Sequence, residues 1–328
     1  MGRPLRPFEL INAHTVEEAV EALSTYRGSA WPLAGGTDVL RVMRFRPLPD
    51  NITPRVLVNL KTIQPSLEYI KEEDGVLRVG ALTKLADVAR SDVVRRNYAA
   101  LAEAAGRVAS PQIREMGTIG GNIAQLPQCW YFRKADNRFP CKRKGASDTC
   151  FASDGDNRYH SIFGDINGCY AVNVSDVAPA LVALDAKVKT NKRTMRIEDL
   201  WDVRVPGSTA LDYDEIIIEI RVPRPPEGAR SAFQKFALRN SIDFPIVNGA
   251  ALVGPGVARI ALNAVYGKPY RAVKAEEVIS GKPLPLDMAT VEAAADAAVS
   301  DAKPMKYNKW KISVARAIVK RLLMAVAT

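Results

Sequence analysis

Two glycine-rich segments constrain this chain more than any other feature. The first, Ala34-Gly35-Gly36-Thr37-Asp38, follows a predicted strand from Trp31 to Ala34. The second, Gly117-Thr118-Ile119-Gly120-Gly121-Asn122, follows a helical stretch and the turn Ser110-Pro111. Paired glycines let a backbone approach a ligand without a Cβ in the way. Successive N–H groups in such a turn form an anion-binding nest. A diphosphate has two groups in need of donors, so two converging loops suit it, with the hydroxyls of Thr37 and Thr118 as further donors. Each segment alone is compatible with an ordinary tight turn. Neither reads as a G-x-G-x-x-G opening a helix, and no G-x-x-x-x-G-K-[ST] occurs. The residues imply a nucleotide phosphate site and no more than that.

Around these loops the chain reads as mixed α+β, with clustered strands rather than a βαβ alternation. Residues 15–27 begin with a cap-like Thr15 and carry Val16, Ala19, Val20 and Leu23 at helical spacing. VLVNL (56–60) and LRVGAL (77–82) read as buried strands, and residues 83–107 are helical in period. Strand and helix recur in VAPALVALDAKVKT and DEIIIEIRVP (214–223). The Pro-rich joint 223–228 is a plausible boundary, followed by FQKFALR, ALVGPGVARIALNAVYG and helical segments near 285–302 and 310–326. With 328 residues the chain can bury two or three cores.

Several functions are disfavoured. No stretch reaches the apolar length of a membrane span. The opening MGRPLRPFELINAHT lacks the apolar core of a secretory signal, so a cytoplasmic location is expected, with export as a folded complex on a partner's signal left open. The net charge of +10 is spread along the chain, and its densest cluster, Lys142-Arg143-Lys144, is short. That favours a solvated face or an anionic partner surface over nucleic-acid binding. His14 and His160 are the only histidines, which leaves little room for a Ser-His-Asp triad, and no acid–base pair for catalysis stands out.

Cys129, Cys141, Cys150 and Cys169 are the only cysteines, and they cluster without a C-x-x-C. A long loop folded around something would explain them. Two disulfides would need an oxidising compartment. A Cys₄ zinc site would staple a loop lacking its own core. An iron–sulfur cluster would use four thiolates and benefit from nearby cations, here Lys142, Arg143, Lys144 and Arg158, with Trp130, Tyr131, Phe132 and Tyr159 as a shield. His160 reads as a surface or packing residue rather than a ligand.

In order and spacing, A-G-G-T-D, T-I-G-G-N and the S-D-x-A-P-A-L of 175–181 resemble the FAD-binding medium subunit of the xanthine oxidase family of molybdenum hydroxylases. Lys235, Arg239, Asp243-Phe244, Gly267-Lys268-Pro269-Tyr270-Arg271 and Gly281-Lys282 extend the resemblance over essentially the whole chain. It implies a vanillyl-alcohol-oxidase-type (PCMH-like) FAD-binding fold with a small α+β C-terminal domain. The implied divisions are an N-terminal FAD-binding subdomain (1–57), a second subdomain (58–224) with a Cys-rich insert (126–170), and a C-terminal domain (225–328). By position, Leu33, Ala34, Gly35, Gly36, Thr37 and Asp38 with Thr118, Ile119, Gly120, Gly121 and Asn122 would surround FAD, its pyrophosphate between the two loops. Asp176 would contact the adenosine half, and Lys235 would join the cofactor site. Pro245 and Ile246 replace polar residues of animal xanthine dehydrogenases near the flavin, which speaks against direct NAD reduction there.

A subgroup of these subunits carries a [4Fe–4S] cluster in an insert after T-I-G-G-N, as in bacterial aldehyde oxidoreductases and 4-hydroxybenzoyl-CoA reductases. The string C-W-Y-F-R…C…C…Y-H…C-Y-A-V-N-V-S-D resembles the aldehyde oxidoreductase version. The four cysteines are then implied as ligands of that cluster. The implied role is an oxidoreductase subunit, without a catalytic residue of its own, that passes electrons between a small [2Fe–2S] subunit and an external acceptor or donor. A large molybdenum-cofactor subunit would oxidise the organic substrate, an aldehyde or aromatic compound, in a heterotrimer or dimer of heterotrimers. The alternative is a stand-alone flavin oxidoreductase with a structural Cys₄ zinc.

Overall fold

The computed structural model describes residues 4–327. Its first layer is a parallel sheet ordered β1 (Glu9–Asn12), β3 (Val56–Asn59), β2 (Ala30–Leu33). Helix α1 (Val16–Thr25) connects the outer strands, with Thr15 as N-cap accepting the Glu18 N–H at 3.1 Å, as its position predicts. Ala19 and Leu23 of α1 pack with Val56 and Val58 on this sheet. After β2 comes the first glycine loop, then α2 (Val39–Phe45).

The second layer is an antiparallel five-stranded sheet ordered β4 (Ile70–Glu73), β5 (Val76–Gly80), β8 (Ile217–Pro223), β6 (Lys187–Thr190), β7 (Thr194–Arg196). The helical stretch predicted for 83–107 is broken into α3 (Leu85–Arg90), α4 (Asp92–Asn97) and α5 (Ala99–Gly106). Ser91 adopts extended backbone between α3 and α4, which interrupts a periodicity that looks continuous in sequence. Next come α6 (Pro111–Arg114), α7 (Ile119–Ile123) and α8 (Trp130–Arg133). A largely irregular stretch then leads to α9 (Val177–Ala183).

The third layer is an antiparallel sheet of β9 (Arg230–Phe236), β10 (Val247–Gly254), β11 (Val257–Asn263) and β12 (Tyr270–Arg271), followed by α10 (Val273–Ile279), α11 (Met288–Ala297) and α12 (Trp310–Ala327). Residues 247–253 of β10 are all buried, because the strand has helices on both faces. Ala250 and Leu252 pack into the core containing α5 and α9. Val247, Ala251 and Val253 pack into the core containing α11 and α12. The side-chain alternation of a strand assigns them to opposite faces. That is why this stretch reads as a continuous apolar run. Among the described residues no helix is long and apolar enough to cross a membrane.

Candidate cofactor site

The two glycine loops meet, backbone against backbone. A Cβ placed on Gly35 would lie 1.9 Å from the Met116 carbonyl oxygen and 3.1 Å from Gly117 Cα. One placed on Gly117 would meet Thr37 Oγ1 at 3.6 Å. Gly36 has φ +74°, in the left-handed region that glycine populates freely. Convergence of the loops, an expectation from sequence, is thus built into the packing of Gly35.

The loops differ in what they offer an anion. In the second, Ile119 N–H donates to Thr83 O (2.9 Å) and Gly120 N–H to Ala81 O (3.0 Å). Gly121 N–H donates to Thr118 Oγ1 (3.1 Å), and Asn122 N–H to Thr118 O (2.9 Å). Thr118 is the N-cap of α7, and a Cβ on Gly120 would stand 2.8 Å from Ala81 O. These residues pin the loop against the segment after β5. In the first loop, by contrast, the N–H groups of Gly35, Gly36, Thr37 and Asp38 have no partner among the described residues. They lead into the N-terminus of α2, whose backbone dipoles favour negative charge. Sequence reading missed Lys61, whose ammonium donates to Ala34 O at 3.1 Å and whose pKa burial lowers. A cation at this loop suits an anionic ligand.

Other predicted residues turn inward. The Asp38 carboxylate accepts from Leu126 N–H (3.0 Å) and pairs with Arg133 (2.8 Å). Asn122 Oδ1 accepts from Ser175 Oγ at 2.5 Å. Asp176 has one carboxylate oxygen on Lys235 Nζ (2.7 Å) and the other on Asn248 Nδ2 (2.8 Å), with both members of the ion pair almost fully buried. Burial pushes the Asp176 carboxyl up to about 6 against the pull of these donors. The pair joins the start of α9 to β9 of the third sheet. Leu33 closes β2 beside Gly36. Arg239 and Asp243 pair with each other in an exposed loop.

All four cysteines are free thiols and line one small cavity, together with Tyr131, Phe132, Lys142, Arg143 and Phe151. Phe139 and Phe151 stand edge to face at 5.2 Å, and Tyr131 meets Phe139 likewise at 5.1 Å, so the cavity is walled by rings. Arg143 Nη1 donates to Cys169 Sγ at 3.6 Å. His160 Nε2 lies 3.2 Å from Cys129 Sγ. Burial pushes the Cys129 thiol up to about 12 and raises Cys141 as well, so without added positive charge these groups stay protonated. Among the described residues no three His, Cys, Asp or Glu side chains converge as a single ion requires. Neither the tetrahedral zinc of the alternative reading nor an iron–sulfur cluster therefore has a formed ligand set among the described residues.

The basic cluster corrects an expectation. Arg143 and Lys144 are buried rather than on a solvated face. Lys144 Nζ donates to Asn137 Oδ1 (3.1 Å) and Phe139 O (2.8 Å) and stands over the Phe132 ring. Arg158 lies away from the cavity, in an exposed pair with Asp156. His160 is buried rather than at the surface, and its carbonyl accepts from Lys311 Nζ at 3.0 Å.

Comparison with known proteins agrees with this architecture. The family described as "FAD binding domain in molybdopterin dehydrogenase" matches residues 6–225, and "CO dehydrogenase flavoprotein C-terminal domain" matches residues 231–326. The chain is 31% identical to the aldehyde oxidoreductase FAD-binding subunit PaoB of Escherichia coli K12, over 95% of this chain and 96% of that one. It is 28% identical to the carbon monoxide dehydrogenase medium chain of Hydrogenophaga pseudoflava, over 97% and 96%. A solved structure of carbon monoxide dehydrogenase from the same organism superposes with a TM-score of 0.74 at 26% identity, covering 99% of this chain and 98% of that one.

Proposed function

We infer, since this chain belongs to the FAD-binding flavoproteins of the molybdopterin dehydrogenases, that it is the electron-relaying subunit of a molybdenum-dependent oxidoreductase. The observation that carries the cofactor assignment is the close approach of Gly35 to Met116 and Gly117 in a loop whose N–H groups at Gly35, Gly36, Thr37 and Asp38 have no partner among the described residues. The FAD pyrophosphate belongs at Ala34–Asp38, with the Thr37 hydroxyl and the Lys61 ammonium as supplementary donors. Residues 118–122 act as the floor that holds the first loop in place. When bound, FAD exchanges electrons singly or in pairs and so links one-electron to two-electron partners. The chain's own residues bind and orient it; none is needed as an acid or base. Asp176 and Lys235 form the strut between this region and the third sheet.

The cysteine cavity is read here as the seat of a [4Fe–4S] cluster. In support, the four thiols line one space, with Arg143 positioned to offset thiolate charge at Cys169. The partners on this reading are a small [2Fe–2S] subunit that exchanges electrons with this chain and a large molybdenum subunit that oxidises an aldehyde or aromatic substrate. The divisions 1–57, 58–224 and 225–328, with the insert at 126–170, follow the same reading.

An absorption spectrum with iron and zinc analysis, on protein purified without oxygen, tests this. Flavin bands, a broad iron–sulfur shoulder and about four irons per chain are expected. Zinc without iron would remove the cluster while leaving FAD. Absence of flavin, with none taken up on titration, would overturn the assignment of the glycine loops.

A further inference from the structure

Helix α2, which follows the proposed FAD loop directly, is held at three places by the first part of the cysteine insert. At its N-cap, Asp38 does not use its side chain to cap the helix. Its carboxylate instead accepts from Leu126 N–H and pairs with Arg133, the last residue of α8. Arg133 is itself fixed by Pro127 O (2.8 Å) and Leu126 O (2.9 Å). At the other end, the carbonyl of the C-cap residue Arg46 accepts from Asn137 N–H at 3.0 Å. Val42 within the helix and Leu48 just beyond it share a small core with Leu126, Phe132 and Cys141, to which Trp31, Cys129 and Phe151 add.

The insert has little regular structure of its own: α8 is four residues long, and 3₁₀ turns cover Ala135–Asn137 and Lys142–Lys144. The order of its first part rests on this shared core and on the Asp38–Arg133 pair. A loop that owes its order to such packing transmits the loss of that packing to what it touches. Here it touches the helix whose first turn follows Gly35–Asp38.

We propose that the cysteine insert is a clamp on the FAD site: through Arg133, Asn137 and the Val42–Phe132–Cys141 core it holds α2 and the first glycine loop in the form that binds FAD. Loosening the insert loosens the flavin. This rests on the placing of FAD at Ala34–Asp38 and holds whatever the identity of the group in the cavity.

The test is FAD affinity, read by flavin fluorescence on titrating FAD into deflavinated full-length protein, for Arg133→Met and Val42→Ala. Neither residue belongs to the FAD loop itself. Val291→Ala, which opens a cavity in the core around α11 and α12, controls for general destabilisation, with melting temperature measured for each variant. Both clamp variants should bind FAD on the order of tenfold more weakly, the equivalent of one lost charge-assisted hydrogen bond. Arg133→Lys should recover part of that loss, and Val291→Ala should leave affinity within about twofold at a similar melting loss. Cys141→Ser should weaken FAD in the same sense, with its iron and zinc content measured separately. Clamp variants that bind FAD no worse than the Val291→Ala control would overturn the proposal. If Gly35→Ala releases FAD while they do not, the coupling alone fails. If Gly35→Ala also leaves affinity unchanged, the placing of FAD fails with it.

Discussion

Replacing Gly35 by alanine puts a methyl group 1.9 Å from the Met116 carbonyl oxygen. Real Cβ atoms essentially never approach a heavy atom closer than 3.0 Å, so the two loops must part by about 1 Å. The obstacle is backbone, which cannot swing away as a flexible side chain would. Overpacking of this kind costs about 1–3 kcal/mol of stability. The larger effect falls on the ligand, because N–H groups displaced by 1 Å no longer reach their oxygens. Two lost hydrogen bonds to a charged group cost at least about 3 kcal/mol, roughly a hundredfold or more in Kd. Gly35→Ala should therefore be purified folded, with a modestly lower melting temperature and with little flavin. The assay is the flavin-to-protein absorbance ratio, followed by FAD titration monitored by fluorescence. Gly75→Ala, where a Cβ meets nothing within 4 Å but φ is +72°, supplies a control strained in its own turn and remote in sequence. If Gly35→Ala binds FAD as tightly as the parent chain, the converged loops are not the diphosphate site.

Lys235→Met leaves the buried Asp176 carboxylate with Asn248 as its one side-chain donor, and should cost about 3–5 kcal/mol in chemical denaturation. The double variant Asp176→Leu/Lys235→Met should regain most of that loss; equal destabilisation of the two would refute the strut. Lys311 sits in α12 with its ammonium on the carbonyls of Ala264 and His160, and burial lowers its pKa to about 7. The unfolded chain, with Lys311 near its model-compound pKa of 10.5, binds the extra proton between pH 7 and 10.5, so the native state gains from this residue as pH rises through that window. Melting temperature from pH 6.5 to 9 should thus rise in the parent chain relative to Lys311→Met, and parallel curves would refute the buried neutral lysine. On the proposal that the cysteine cavity seats a cluster, Arg143→Gln should shift that cluster's redox midpoint downward, because a cation beside Cys169 is lost; spectroelectrochemistry showing an unchanged potential would remove Arg143 from that environment.

Much of the architecture can be traced to local pattern. Thr15 caps α1 because its hydroxyl needs only the N–H three residues on, a contact that sequence spacing specifies. The hairpin of β10 and β11 turns at Gly254-Pro255-Gly256, and Gly256 takes φ +71°, so its turn chemistry was visible in the residues. The two glycine segments were likewise conspicuous, because glycine alone permits the approach seen at Gly35. Sequence spacing did not reveal which of their N–H groups remain free. Those of Ile119 and Gly120 are taken by carbonyls of Thr83 and Ala81, some 36–39 residues earlier in the chain, while those of Gly35 to Asp38 are left open. Satisfaction of a donor depends on what tertiary packing brings opposite it, and periodicity carries no record of that. The same holds for Lys144, whose ammonium is buried because Asn137 and Phe139 fold back over it, and for Asp176, whose partners lie on β9 and β10. Asp38 is the clearest case. Its place in a glycine loop suggests a ligand contact, yet the fold turns its carboxylate toward Arg133 and makes it the joint between the first glycine loop and the cysteine loop.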